Sequence, residues 1–237
     1  MRSQALLIVG ATGLIGQLAM RRLLAEETGP QVIAISRRAL LAEHPRLVSI
    51  TANMSDPAED IRLIERLREL CTDTPHSFLC ALGTTQREAG STSAFRAIDL
   101  ELVVRLASVA LNLGACQAIV VSSVGADAQS NNVYLKTKGE MEQQVGELGF
   151  DRCDFLRPAL LLGERKGRYR LAEHVGQLLS PVYNPLLTGS QRRYRTIPGH
   201  TVAAALIALA GRQSPGRYIH EHDALQQLAT QMNAETL

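Results

Sequence analysis

The sequence predicts an α/β fold, a doubly wound parallel sheet with a small C-terminal portion closing one end. Three observations predict it. Short apolar runs recur between turn residues without polar alternation, as in strands covered on both faces. Amphipathic stretches of helical period separate these runs, which is the pattern of βαβ units. The first strand-to-helix junction is glycine-rich, with Gly10, Gly13 and Gly16 at three-residue spacing.

The elements follow in order. Leu6–Val9 reads as the first strand and Leu14–Ala25 as its helix. Val32–Ser36 follows Gly29-Pro30, and Leu47–Ile50 is next. A helix is predicted over 57–70, then a strand over Ser77–Leu82. One long helix is predicted from Ser93 to Leu113, ended by Gly114. Ala118–Ser122 is a strand. Val133–Leu148 is a helix, with Asn131 or Asn132 as N-cap and Gly149 beyond its end. Asp154–Leu156 is a sixth strand, stopped by Pro158. Residues 163–199, with many Arg, Pro, Gly and Tyr, read as an insertion over the C-terminal sheet edge, where α/β ligands bind. A helix over 201–211, a short strand Arg217–His220 and a helix over 223–232 complete the chain.

The 237 residues fit one domain, 1–237, in which 159–237 supply mainly the C-terminal elements of the substrate side. Composition is that of a globular protein, 46% hydrophobic and 20% charged. A net charge of +2 and the lack of tryptophan argue against nucleic acid and membrane surfaces as partners. The four cysteines, Cys71, Cys80, Cys116 and Cys153, are widely spaced and form no CxxC pair, so they predict idle thiols in a reducing cytoplasm. The apolar stretch Thr201–Ala210 is too short to span a bilayer. No metal site is expected: His220 and His222 share a strand face by alternation, without a third ligand nearby.

The glycine junction aims backbone N–H groups and a helix N-terminus at a pyrophosphate. It lacks the GK[ST] ending of a triphosphate P-loop. The second strand ends in Ser36-Arg37-Arg38, where an NAD site usually has an acid; guanidinium groups there suit a 2′-phosphate, and so NADP(H). The fourth strand ends in Leu82-Gly83-Thr84-Thr85, with Gly83 permitting close approach. Tyr134 lies twelve residues after Ser122, and Lys138 four after Tyr134, on one helix face. A neighbouring ammonium favours the phenolate, which equips a tyrosine to exchange a proton with a carbonyl or alcohol oxygen. A serine at the strand end, Ser122 or Ser123, can hydrogen-bond the same oxygen. Asp99 reads as a polar helix residue, and Asn112 as part of a C-terminal helix turn. Two basic runs, Arg165-Lys166-Arg168-Arg170 and Arg192-Arg193-Arg195, read as solvated loops more readily than as an anion site.

Together these stretches resemble the short-chain dehydrogenase/reductase superfamily, in the atypical branch of the Tat-interactive, oxidoreductase-like protein and bacterial NAD(P)-binding relatives. The resemblance rests on Gly10–Gly16, Ser36–Arg38, Leu82–Thr85, Ser122–Asp127, Tyr134–Glu140, Phe150–Arg152 and Leu156–Pro158. It departs from the superfamily at Leu82-Gly-Thr-Thr, where Asn-Asn-Ala-Gly is usual. It implies a Rossmann-like fold and NADP(H), with Gly10, Thr12, Gly13, Leu14, Ile15 and Gly16 at the pyrophosphate. It further implies Arg37 and Arg38 at the 2′-phosphate, Leu82 and Gly83 at the adenine or ribose, and Leu161 near the nicotinamide. Tyr134 becomes the proton donor or acceptor and Lys138 the holder of the nicotinamide ribose. The expected function is an oxidoreductase acting on a small carbonyl or alcohol. The alternative is an NADPH-binding regulatory or redox-sensing protein with a protein partner and little turnover. A nucleotide-sugar epimerase is a third reading, for which the chain leaves little room.

Overall fold

The computed structural model describes residues 5–162 except 26, 41, 55, 57 and 71–74, together with 184 and 187–235. Seven parallel strands form one sheet in the order β3-β2-β1-β4-β5-β6-β9. Their ranges are β1 Ala5–Val9, β2 Val32–Ser36, β3 Leu47–Thr51, β4 Pro75–Cys80, β5 Gln117–Val121, β6 Arg152–Leu156 and β9 Gly216–His220. The order reverses between β1 and β4, which opens a crevice at the carboxyl ends of those two strands.

The apolar, non-alternating strands are explained by two separate cores. Leu7, Val9, Ile33, Ile35, Phe78, Val120 and Phe155 face helices α2 (Glu59–Leu70), α5 (Leu102–Asn112) and α6 (Val133–Glu147). Leu6, Ile8, Val32, Ala34, Leu79, Ile119 and Leu156 face α1 (Leu14–Leu23), α7 (Gly199–Leu209) and α8 (His222–Glu235). Successive residues of one strand thus enter opposite cores, and period-2 geometry makes both sides apolar. The edge strands β3 and β9 are the exceptions, with several residues exposed.

The structure departs from the sequence expectation in three places. The single helix expected over 93–113 is three pieces: α4 (Thr92–Arg96), a π-helical turn (Ala97–Glu101) and α5. A short α3 (Gln86–Ala89) precedes it, capped by Thr85. The strand expected at 217–220, which the sequence left without a place in the sheet, is its seventh strand, parallel to β6. Residues Leu161–Leu162 (β7) and Ile197–Pro198 (β8) pair as a small second sheet, with a 3-10 turn (Gly189–Tyr194) before β8. Of 159–237, therefore, the described part both completes the sheet and covers one of its faces.

A polar network fastens the last strands. Asp154 is fully buried and accepts from Arg152 Nε (2.6 Å) and Nη2 (2.7 Å), Gln117 Nε2 (2.9 Å) and His220 Nε2 (2.8 Å). Gln117 continues it to the Leu209 carbonyl (2.8 Å), behind α7. Burial alone would push the Asp154 carboxyl up, but its hydrogen bonds from His220, Arg152 and Gln117 win and hold it below the usual value. The described thiols Cys80 and Cys153 are pushed up to about 12 and about 11, chiefly by burial. Cys71 lies outside the described residues.

A group held below its unfolded value stabilises the fold above that value and loses the contribution as pH falls. The wild-type chain should therefore lose stability as pH drops below about 4. Asp154→Asn should cost roughly 3 kcal/mol at pH 7, and the deficit should shrink in acid. Urea unfolding of both proteins from pH 7 to pH 3 checks this; a deficit independent of pH would contradict it.

Candidate active site

The crevice begins with backbone against backbone. Gly10 has φ +80, and a Cβ there would stand 2.5 Å from the Ala81 carbonyl carbon. Ala81 N–H donates to the Val9 carbonyl (3.0 Å), so the two strand ends are tied where they diverge. A Cβ at Gly16 would stand 2.1 Å from the Gly10 carbonyl oxygen, which presses α1 onto the turn. Gly13 differs: its φ is −80 and its nearest obstacle is 3.4 Å away. Gly13 caps α1 with no side-chain hydrogen bond, and the first turn holds no acid. The N–H groups of Leu14, Ile15 and Gly16 therefore lack a side-chain cap, and the dipole at that end favours an anion. Thr12 is exposed beside them, its carbonyl accepting from Gln17 Nε2 (2.8 Å).

Arg37 and Arg38 are exposed just past β2. Neither forms an ion pair with another described residue, and the Ser36 hydroxyl donates to the Arg38 carbonyl (2.5 Å). Leu82 is half-buried against the core, and Gly83 is exposed. A Cβ on Gly83 would lie 3.6 Å from Asp99 Oδ1 and 3.9 Å from Lys138 Nζ, so this loop borders the Tyr–Lys helix.

Asn132 caps α6, accepting from Tyr134 N–H (2.9 Å) and Leu135 N–H (3.2 Å). Gly139 lets α6 close on the preceding loop, since a Cβ would stand 2.1 Å from Ala128 N. Tyr134 is half-buried, with its ring stacked on Phe95 at 5.6 Å between centroids. Lys138 is buried, its Nζ 2.7 Å from Asp99 Oδ1. Burial pulls the Lys138 ammonium down, but the Asp99 carboxylate and then Tyr134 outweigh it and hold it above the usual value. Between the two serines the structure makes a distinction. Ser122 is 5% exposed, and its Oγ has no hydrogen-bond partner among the described residues. Ser123 is half-buried, its Oγ 3.4 Å from the Val124 carbonyl. Leu161 lies half-buried in β7, against the core that holds α1.

These residues fit a dinucleotide: a helix N-terminus without a side-chain cap and with an open glycine, two guanidinium groups without an ion pair and a buried hydroxyl without a partner among the described residues, and a buried ammonium. Three contributors were not legible as such. Asp99 was read as a polar helix residue, Phe95 was not singled out, and Gly139 was not read as a packing glycine. A Phe and an Asp four apart, matching the Tyr134–Lys138 interval, were the available signal. His222 does not share a strand with His220 but opens α8, where it meets Asp223 (3.0 Å). Arg192 pairs with Asp223 (3.0 Å), Arg193 lies 4.0 Å from Glu221, and Arg195 donates to the Leu187 carbonyl (2.9 Å). The first basic run, at 165–170, lies outside the described residues. Among the described residues no helix is long and apolar enough to cross a membrane.

Residues 10–212 match the NAD(P)H-binding family, and the chain belongs to it, within an atypical branch of the short-chain dehydrogenase/reductase type. Among its relatives, the mitochondrial protein fmp52 of Emericella nidulans is 32% identical over 92% of this chain and 96% of its own length. Protein HTATIP2 of Rattus norvegicus is 30% identical over 87% of this chain and 81% of its own. Of solved structures, MoeE5 in complex with UDP-glucose and NAD superposes with a TM-score of 0.65. It covers 98% of this chain and 82% of that one at 16% identity, a likeness of fold. The expected cytoplasmic location is overturned, because the fungal relatives are named mitochondrial proteins. Widely spaced cysteines without a CxxC pair do not single out one compartment.

The last two glycines of the turn should part company on substitution. Gly16→Ala should destabilise the fold by roughly 3 kcal/mol or prevent folding, because its Cβ meets backbone. Gly13→Ala should change stability by less than about 1 kcal/mol yet weaken dinucleotide binding at least about tenfold. Thermal melts and nucleotide titrations check both; unaltered binding by Gly13→Ala would remove this turn from the site.

Proposed function

We propose that the protein is an NADP(H)-dependent oxidoreductase acting on a small carbonyl or alcohol substrate. The observation that carries the reading is the Ser122 hydroxyl, buried at the end of β5 with no partner among the described residues. A buried hydroxyl without a hydrogen bond is costly, so such an atom is expected to meet a ligand. A substrate carbonyl or alcohol oxygen supplies that partner. Ser122 is thus favoured over Ser123 as the group that orients the substrate.

The bound nicotinamide would supply the hydride donor or acceptor. The protein's own residues have separate tasks. The uncapped N-terminus at Thr12, Gly13, Leu14 and Ile15 would hold the pyrophosphate, with Gly10 and Gly16 shaping the turn. Leu82 and Gly83 would line the adenine or ribose, and Leu161 the nicotinamide side. Arg37 and Arg38 would bind a 2′-phosphate through charge-assisted hydrogen bonds, which supports NADP(H) over NAD(H). Lys138 would donate from its ammonium to the nicotinamide ribose. Tyr134 would give a proton to the substrate oxygen on reduction and take it on oxidation.

NADPH should bind at least about tenfold more tightly than NADH, and Arg37→Ala/Arg38→Ala should erase the difference. In a screen of carbonyl compounds, Tyr134→Phe should bind nucleotide normally while losing roughly 100- to 10,000-fold in turnover. Calorimetry and NADPH absorbance measure the two. Nucleotide binding without turnover of any carbonyl or alcohol would favour a regulatory role; binding of neither nucleotide would refute the oxidoreductase reading.

A further inference from the structure

The catalytic face proposed for α6 is matched, position for position, by the helical segment packed against it. Phe95 and Asp99 stand four residues apart, as do Tyr134 and Lys138. Phe95 stacks on the Tyr134 ring, and Asp99 Oδ1 lies 2.7 Å from Lys138 Nζ. Between them Arg96 pairs with Glu140 at 2.6 Å. Asp99 sits in the π-helical turn 97–101, in the middle of what the sequence reads as one regular helix. Such turns alter the register of the residues that follow and recur at functional sites. Here Asp99 is wholly inside the protein.

The carboxylate has a second bond. Its Oδ2 accepts the Thr84 N–H at 2.8 Å, from the loop after β4 that contains Gly83. One side chain thus joins the buried ammonium to the backbone of a loop expected to line the cofactor. The titratable groups that face Lys138 are Asp99 from the π turn, Tyr134 from its own helix and Cys80 from β4. The Cys80 thiol, pushed up to about 12 mainly by burial, carries no charge near neutrality. Asp99 is the carboxylate of the set.

We infer that Asp99 is a positioning residue whose carboxylate keeps Lys138 a charged donor toward the cofactor and ties it to the loop at Thr84. This rests on the oxidoreductase reading given above. Without the carboxylate, burial acts on Lys138 with less opposition, and the amine loses its proton at lower pH. A neutral amine no longer gives the charge-assisted hydrogen bond that a ribose hydroxyl would receive.

The test is nucleotide affinity against pH, from neutral to moderately alkaline, for wild type, Asp99→Asn, Lys138→Met and the double variant. Asp99→Asn keeps the size of the side chain and an acceptor for Thr84, and circular dichroism checks each fold. Wild type should bind with near-constant affinity. Asp99→Asn should weaken as pH rises, by up to about tenfold per unit beyond the Lys138 titration, until it reaches the Lys138→Met level. In the Lys138→Met background Asp99→Asn should add nothing. A wild-type pH profile in Asp99→Asn, or an undiminished loss in the double variant, would overturn the inference. Should Asp99→Asn not fold, wild type and Lys138→Met still decide it: a wild-type affinity that declines to the Lys138→Met level over this range would also overturn it. A wild-type chain that binds neither nucleotide refutes the oxidoreductase reading before any variant is compared.

Discussion

Everything at the carboxyl end of the sheet depends on one close approach, that of Gly10 to Ala81. These residues follow adjacent strands, β1 and β4, whose connections leave the sheet in different directions. A side chain at residue 10 would occupy the space of the Ala81 carbonyl. Because it has none, the turn stays flat against its neighbour, and α1 starts immediately above it. Gly16 repeats the constraint within the first turn of the helix, against the Gly10 carbonyl. The two contacts fix where the helix begins and where its first N–H groups stand. The open N-terminus of α1 is therefore a by-product of packing.

α6 depends on the same kind of contact and adds a charge. Gly139 lets the helix close on residues 127–128, and Asn132 fixes its first turn. With both ends of that contact set, Tyr134 and Lys138 present one face to the segment 95–99. The Lys138–Asp99 pair is buried, and burial of two charges is offset only where geometry and further hydrogen bonds are good. The Thr84 N–H supplies one of those bonds. A bidentate pair between Arg157 and Glu142, at 2.9 and 2.6 Å, fastens the far side of α6 to the chain after β6. The helix is thus held by ions on two sides and is not free to turn about its axis.

The sequence carried the strands of the sheet, both edges included, but not the place of β9 beside β6. Strands β1, β2, β5 and β6 are buried throughout, so their apolar runs reported their positions directly. The glycine turn and the Tyr134–Lys138 interval were legible because backbone approach and helical period restrict the residues that fit. β9 was read as a strand but was given no place in the sheet, because an edge strand with three of its five residues exposed carries no two-faced signature. β7 and β8, two residues each, are too short for any period. The break at 97–101 was invisible for a related reason: Ala97-Ile-Asp-Leu-Glu101 has good helical composition, and a π turn is imposed by what it packs on. The burial of Asp99 went unread with it, since a polar residue in a regular helix is normally solvated.

The burial of Asp99 beside Lys138 changes how charge acts at this site. A lysine near a tyrosine invites the inference of a lone cation acting on a phenol. Here the cation already has an anion at 2.7 Å, so a third group meets a pair whose fields partly cancel. What remains is directional and depends on the order in which the groups are placed. The π turn and the stacking of Phe95 on Tyr134 set that order. Helix register, more than the presence of a lysine, thus determines the field the phenol meets, and register here is held by packing.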